Sequence, residues 1–225
     1  MKVSIIIPAY NSQFTIKKSV ESAVNQSYSK NDLEVIVVDD GSSDGTLKML
    51  EDFGERISVI SQKNSGAVNA ANTGFKKARG EYLIKLDSDD YFEKNIIEEM
   101  VPILDTHQSI DFVYCDYYER SIDGEKKNIH IGDNLFNTIA GGMMFRKNKF
   151  EEEGFYDENF RFAEYDLLLK TLGRWSGFYV KKPLFWYVRR RESVTGSKEW
   201  VEGGLDELKK KYPEKIKEIK KIRNY

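Results

Sequence analysis

The residue pattern predicts an α/β protein with an open, mostly parallel central sheet flanked by helices. Three observations carry this. Continuous apolar, β-branched runs alternate with stretches of helical spacing through the N-terminal half. The repeating unit is roughly 25 to 30 residues, the length that a right-handed strand–helix–strand crossover needs. Most of these apolar runs end in polar, turn-forming clusters, which is where open parallel sheets place their ligands.

In chain order, Val3 to Ile7 is the first buried strand and stops at Pro8. Asn11 or Ser12 is placed to cap the next helix, whose stripe is Ile16, Val20, Ala23 and Val24. Leu33 to Val38 is the second strand, followed by Asp39-Asp40-Gly41 and a short helix with Leu47, Leu50 and Phe53, capped by Ser43 or Asp44. Ile57 to Ile60 is the third strand. Ala67, Ala71, Gly74, Phe75 and Ala78 then form a small-residue helical face suited to lying close on a sheet. Tyr82 to Leu86 is the fourth strand and runs into Asp87-Ser88-Asp89-Asp90.

The second half is less regular. Glu93 to Leu104 is amphipathic, and Pro102 is expected to bend that helix or end it early. Asp111 to Arg120 alternates as a strand, Asp123-Gly124 is a turn, Gly141 to Arg146 is a further strand, Asp166 to Leu172 is helical, and Phe185 to Arg189 is a short strand. The organisation expected is a domain over residues 1–200, in two halves (1–92 and 93–200), then a basic helical tail over 201–225.

Composition narrows the function classes. The 225 residues are 40% apolar and 13% aromatic, enough to bury a sizeable core. A net charge of −2 gives no global attraction for nucleic acid. One cysteine, Cys115, excludes an intramolecular disulfide, and two histidines, His107 and His130, argue against a His/Cys zinc site. The opening apolar run is far shorter than a signal peptide or membrane span, so a soluble, cytoplasmic protein is expected.

Chemistry points to the strand ends. Acids as dense as Asp39-Asp40 and Asp87 to Asp90 repel one another unless a cation or a hydrogen-bonding ligand sits between them. Carboxylates two residues apart, Asp87 and Asp89, suit a hard divalent ion that keeps positions open for phosphate oxygens. The same acids would also favour the start of a following helix. Receiver domains carry an acid pair too, but after the first strand, whereas here it follows the second.

Taken together, Ile7-Pro8-Ala9-Tyr10-Asn11, Val37-Val38-Asp39-Asp40-Gly41-Ser42-Ser43-Asp44-Gly45-Thr46 and Leu86-Asp87-Ser88-Asp89-Asp90 resemble glycosyltransferase family 2 at these spacings. Asn64-Ser65-Gly66 through Gly74 and Gly141 to Arg146 followed by Gly154 to Phe160 extend the likeness to roughly residues 2–197. The resemblance implies the GT-A nucleotide-diphospho-sugar transferase fold and an inverting transfer from a nucleotide-diphosphate sugar, by default a UDP-sugar, to a hydroxyl on a glycan, a lipid-linked or a small acceptor. It implies that Pro8, Ala9, Tyr10, Asp40, Asp87 and Ser88 hold the nucleotide, with Tyr10 stacking on the base unless it is a core residue. It also implies Mg²⁺ or Mn²⁺ on Asp89, with Asp87 beside it.

The departures are informative. Family members carry Glu-Asp just before an acid-Leu-x-Leu-Arg helix, with that Asp as catalytic base. Here Phe162-Ala163-Glu164-Tyr165-Asp166-Leu167-Leu168-Leu169-Lys170 puts Glu164 in the base position and leaves Asp166 as its competitor. Some relatives place an arginine in the third helix where this chain has Ala71, so Arg189, Arg190 or Arg191 is expected to face the diphosphate. The closing segment that holds them lacks the family's histidine. A sugar-nucleotide pyrophosphorylase would want a Gly-rich, Arg-containing loop after the first strand, which Pro8 to Asn11 is not, while a decayed nucleotide-sugar-binding protein is the rival outside enzymes. The tail, Lys209 to Arg223, has Ile216, Ile219 and Ile222 three apart. They either pack on the body or present a basic face for weak contact with anionic membrane; the narrow stripe and Pro213 favour packing.

Overall fold

The computed structural model describes residues 1–132, 134–190 and 198–222. Its strands are β1 (Val3–Ala9), β2 (Leu33–Asp39), β3 (Ser58–Ser61), β4 (Tyr82–Lys85), β5 (Tyr91–Phe92), β6 (Phe112–Arg120), β7 (Lys126–Ile129), β8 (Met143–Arg146) and β9 (Gly177–Val188). Its helices are α1 (Ile16–Val24), α2 (Thr46–Glu51), α3 (Ala67–Lys77), α4 (Ile96–Thr106), α5 (Lys147–Glu152), α6 (Ala163–Thr171), α7 (Lys198–Lys211) and α8 (Ile216–Ile219).

One sheet runs β3-β2-β1-β4-β8-β6-β9-β5, with β7 attached to β6. The expected parallel block is β3 to β4, where Ile6 of β1 lies between Ile36 of β2 and Lys85 of β4. Beyond it the sheet is mixed rather than mostly parallel: β8 is antiparallel to both β4 and β6, β6 and β9 are parallel, and β5 and β7 are antiparallel edges. The reason is that β8 enters between β4 and β6 running against both, so these two strands, which run the same way on either side of α4, are not neighbours.

Both faces of the parallel block are covered, which is why its strands read as unbroken apolar runs. On one face Ile5, Ile7, Val37 and Ile84 meet Val20 of α1 and Met100 of α4. On the other, Ile6, Val38 and Leu83 meet Ala71 and Phe75 of α3 and Leu168 of α6. The small face of α3 does lie close to the sheet: a Cβ on Gly74 would stand 2.5 Å from Ile6 Cγ2.

Three expectations need correction. The helix through Pro102 does not end early but continues to Thr106. Proline in the helix interior removes one backbone bond, and burial of Ile96, Ile97, Met100, Val101 and Leu104 along the helix outweighs that loss. Asn11 and Ser12 do not cap α1, whose start has no side-chain cap. Asn11 adopts φ 47° and accepts from Ser43 N–H at 2.8 Å, and the Ser12 hydroxyl meets that of Ser88 at 2.8 Å. Residues set apart as a tail from position 201 begin inside α7, and Val201, Leu208, Tyr212, Ile219 and Ile222 share the core of α6. Of the isoleucine stripe, Ile219 and Ile222 pack on the body, while Ile216 is exposed. No described helix is long and apolar enough to cross a membrane.

The chain leaves β1 toward β2 and β3, then returns to place β4 on the other side of β1. The switch in strand order opens a crevice at the carboxyl ends of β1 and β4.

Candidate active site

Two adjoining cavities occupy that crevice. One, of about 630 Å³, is lined by Pro8, Ala9, Tyr10, Asp40, Asp87 and Asp89, with Ser88 and Arg190 on the same wall. The other, of about 450 Å³, is lined by Lys85, Tyr156, Glu158, Glu164, Phe162 and Trp200, among others. Gly66, Ala67, Asp87 and Tyr187 line both, so they are two lobes of one cleft.

The first lobe is built from three strand-end loops tied together. Tyr10 is 51% exposed, which removes core packing as its role and leaves an aromatic face open to the lobe. Asp40 is buried and works locally: Oδ1 accepts from Gln62 Nε2 at 2.8 Å and Ser65 N–H at 2.9 Å, and Oδ2 accepts from Gly66 N–H at 2.8 Å. Those bonds fix the entry to α3, where Gly66 has φ 97°.

The acidic loop after β4 has divided duties. Asp89 Oδ2 lies 3.0 Å from Arg190 Nη2. Asp87 Oδ1 lies 3.1 Å from Lys85 Nζ. Asp90 turns inward and accepts from Val188 N–H at 2.8 Å. Burial, then the charge of Asp87, pushes the Asp90 carboxyl well above the usual range. Asp90 thereby fastens the end of β9 to the loop. The loop does not cap a helix, since β5 follows it. Asp87 and Asp89 present an all-oxygen donor pair on the lobe wall, which fits a hard divalent ion completed by phosphate oxygens. Among the described residues no group of three or more His, Cys, Asp or Glu side chains could hold a metal without such outside ligands.

In the second lobe, Glu164 stands on the first turn of α6, its side chain 20% exposed. Lys85 Nζ donates to its Oε1 at 2.8 Å. Burial works against the Lys85 charge, but Asp87 and Glu164 outweigh it and raise the ammonium's pKa above the ordinary lysine value. The Tyr156 hydroxyl is buried on the same wall with no hydrogen-bond partner among the described residues, and burial together with Glu164 raises its pKa.

Two candidates lie elsewhere. Asp166 does not reach the cleft: its buried Oδ1 accepts from Tyr212 Oη at 3.0 Å and Lys211 Nζ at 2.8 Å, fastening α6 to α7. Two residues turn a helix by about 200°, so Glu164 and Asp166 face opposite ways. Arg189 likewise turns from the first lobe, its Nε 3.2 Å from Glu119 Oε2. Arg191 falls outside the described residues. Lys85 escaped the sequence reading, since one lysine ending an apolar strand looks like the strand's solvent edge. The only signal was its place two residues before Asp87.

Residues 4–168 match the model of Glycosyl transferase family 2. Chondroitin synthase of Escherichia coli is 42% identical over 182 residues, covering 75% of this chain and 26% of that protein. TarS 1–349 of S. aureus, solved in complex with UDP-GlcNAc, superposes with a TM-score of 0.72 at 22% identity, over 93% of this chain and 67% of that one. The mannosyltransferase PcManGT from Pyrobaculum calidifontis, solved with GDP-Man and Mn²⁺, superposes with a TM-score of 0.78 at 16% identity, over 98% and 68%. The fold is therefore that of the GT-A transferases. The chain spans about half the length of the first curated relatives it matches, 53 to 58% of each.

Proposed function

The chain belongs to glycosyl transferase family 2, and from that premise we propose that it transfers a sugar, with inversion, from a nucleoside-diphosphate sugar to an acceptor hydroxyl. The carrying observation is that a single cleft has an aromatic and acidic nucleotide-sized lobe and a second lobe with a carboxylate, joined at Asp87. In this reading Tyr10 stacks on the base, Pro8, Ala9 and Ser88 shape its loop, and Asp40 holds the loop or meets the base edge. The sugar lies across Asp87, and the acceptor enters by the second lobe.

Glu164 takes the proton of the acceptor hydroxyl as that oxygen bonds to the anomeric carbon. The bond from this carbon to the diphosphate oxygen breaks, and its electron pair leaves with the nucleoside diphosphate. Attack opposite the leaving group inverts the centre, and no covalent enzyme nucleophile is needed. Cys115 is fully buried within β6 and has no part in it. Asp89 and Asp87 would hold Mg²⁺ or Mn²⁺, which when bound supplies positive charge at the leaving diphosphate. Among the described residues, Arg190 is the cation that lines the same lobe.

UDP is our reading of the donor nucleotide, supported by the likeness to TarS in its UDP-GlcNAc complex; the acceptor is a hydroxyl-bearing glycan, lipid-linked or small molecule. The test is a thermal-shift panel of UDP, GDP, dTDP, CDP and ADP, each with and without Mn²⁺. Stabilisation by UDP that requires the metal is the expected result. A shift by another nucleotide replaces the donor, and no shift by any of them removes the transferase reading in favour of a decayed binding protein.

A further inference from the structure

The second lobe contains one arrangement that the transfer chemistry above does not use. Among the described residues, Lys85 is the sole hydrogen-bond partner of the Glu164 carboxylate, which it meets at Oε1, and Glu164 lines the cleft. The same ammonium lies 3.1 Å from Asp87 Oδ1. Glu164 and Asp87 belong to separate elements, the first turn of α6 and the loop after β4. Lys85 itself is fixed: its backbone is paired with Ile6 in the parallel block, and its side chain is 11% exposed. A long lysine side chain normally keeps its charged end in water. Here it is held inside, between two carboxylates that face a cleft.

We propose that Lys85 is a positioning residue: it clamps Glu164 by one oxygen and Asp87 by another, setting the base at a fixed place relative to the donor. This rests on the reading of Glu164 as base. A carboxylate with no partner swings about its terminal torsions, which are broad. Anchoring Oε1 aims Oε2 at one point, and misplacement of a reacting group by about 1 Å costs on the order of 100-fold in rate. The clamp reaches the donor side only through one oxygen of Asp87 and touches neither the aromatic face of Tyr10 nor the Asp89 carboxylate, so the contacts those two residues make with the nucleotide persist without it.

The experiment makes Lys85→Met and Lys85→Arg in the wild-type and Glu164→Gln backgrounds. Transfer is read as UDP release from UDP-glucose, UDP-galactose, UDP-N-acetylglucosamine and UDP-glucuronate, with water and pooled monosaccharides as acceptors. Kinetic constants are then measured on the donor that the wild type turns over, and UDP affinity by calorimetry with Mn²⁺. Lys85→Met is expected to lower kcat about 100-fold, with donor KM and UDP affinity within about threefold; Lys85→Arg, which keeps the charge and two donors, recovers at least about tenfold of it. In the Glu164→Gln background Lys85→Met has no further effect beyond about threefold, because two residues acting as one unit are not additive. Should Lys85→Met fail to fold, Lys85→Gln carries the same comparison. Full loss in the Glu164→Gln background, or a parallel loss of UDP affinity, assigns Lys85 a merely structural part and overturns the proposal. A wild-type transferase whose kcat survives the substitution overturns it alone; a wild-type protein that neither binds nucleotide nor releases UDP overturns the transferase reading with it.

Discussion

Arg190 pairs with Asp89 on the wall of the first lobe, guanidinium to carboxylate at 3.0 Å. Both side chains are about one-third exposed, so solvent screens the pair and it opens readily. This makes the two groups exchangeable: a cation arriving at Asp89 displaces Arg190 from that carboxylate and turns it toward a diphosphate. Arg190→Ala should therefore move two affinities in opposite directions. Mn²⁺ alone binds more tightly, since the competing guanidinium is gone, while UDP in the presence of Mn²⁺ binds about tenfold more weakly for want of one charge-assisted contact. Uridine, without phosphates, is unaffected. Calorimetry with the three ligands checks this, and equal weakening of uridine and UDP would show that Arg190 only shapes the lobe.

Glu164 and Asp166 separate by face, and their variants should separate by phenotype. Glu164→Gln is expected to lower kcat by about 10² to 10⁴-fold, the range of a lost general base, with UDP affinity kept. Asp166→Asn leaves Lys211 and Tyr212 short of a charged acceptor, a loss of about 1.5 to 3 kcal/mol that lowers the melting temperature by several degrees. Its kcat stays within a few-fold once the protein is folded. Steady-state kinetics and thermal melts on the same two preparations decide the assignment; a dead but stable Asp166→Asn would reverse it.

Gly74 carries the contact between α3 and the sheet. A methyl there meets Ile6 Cγ2 at 2.5 Å and Val38 Cγ2 at 3.2 Å, both in packed strands with little room to give. Gly74→Ala gains helix propensity but overpacks, so a net loss of about 1 to 3 kcal/mol is expected. Chemical denaturation measures it, and a stabilised variant would mean that α3 can ride outward at no cost.

How much of this was legible follows from which interactions are local. Strands buried on both faces announce themselves as Val3 to Ile7 and Leu33 to Val38 do, and their loops carry turn chemistry, so the first lobe could be read almost residue by residue. The second lobe was legible only in part. The family likeness put Glu164 in the base position, but setting Asp166 aside requires knowing that α7 covers one side of α6, a contact between segments some 40 residues apart in the chain, as the Lys211–Asp166 pair shows. Arg189 and Arg190 are adjacent in extended chain, so they point opposite ways, and only the position of β6 says which meets the cleft. β5 has two residues, too few for any periodicity, and Lys181-Lys182-Pro183 interrupts the pattern of β9 where its pairing with β6 slips. Lys85 belongs to the same class: its meaning lies in Glu164, on a distant element.

The placement of α6, and so of Glu164, also depends on an ion cluster at its far end. Glu153, whose side chain is 10% exposed, receives Lys170 at 3.1 Å and Arg174 at 2.9 Å, tying the end of α5 to α6. Burial alone would raise its pKa, but the hydrogen bonds and charges of Lys170 and Arg174 prevail and hold it below the ordinary value of 4.5. A carboxyl lowered in the folded state adds stability above its unfolded pKa and loses it as pH falls through the folded value. The melting temperature of the wild type should thus decline as pH drops below about 4.5. Glu153→Gln removes this contribution, worth on the order of 1 kcal/mol given the exposed partners, at neutral pH. Wild type and Glu153→Gln should differ by about 2 to 4 °C at pH 7 and converge as the pH is lowered through the folded-state value of Glu153. Melts on a descending pH series provide the check. A gap that stays constant down the acid series would mean that Glu153 stabilises the α5–α6 junction through its packing, and that its charge contributes nothing.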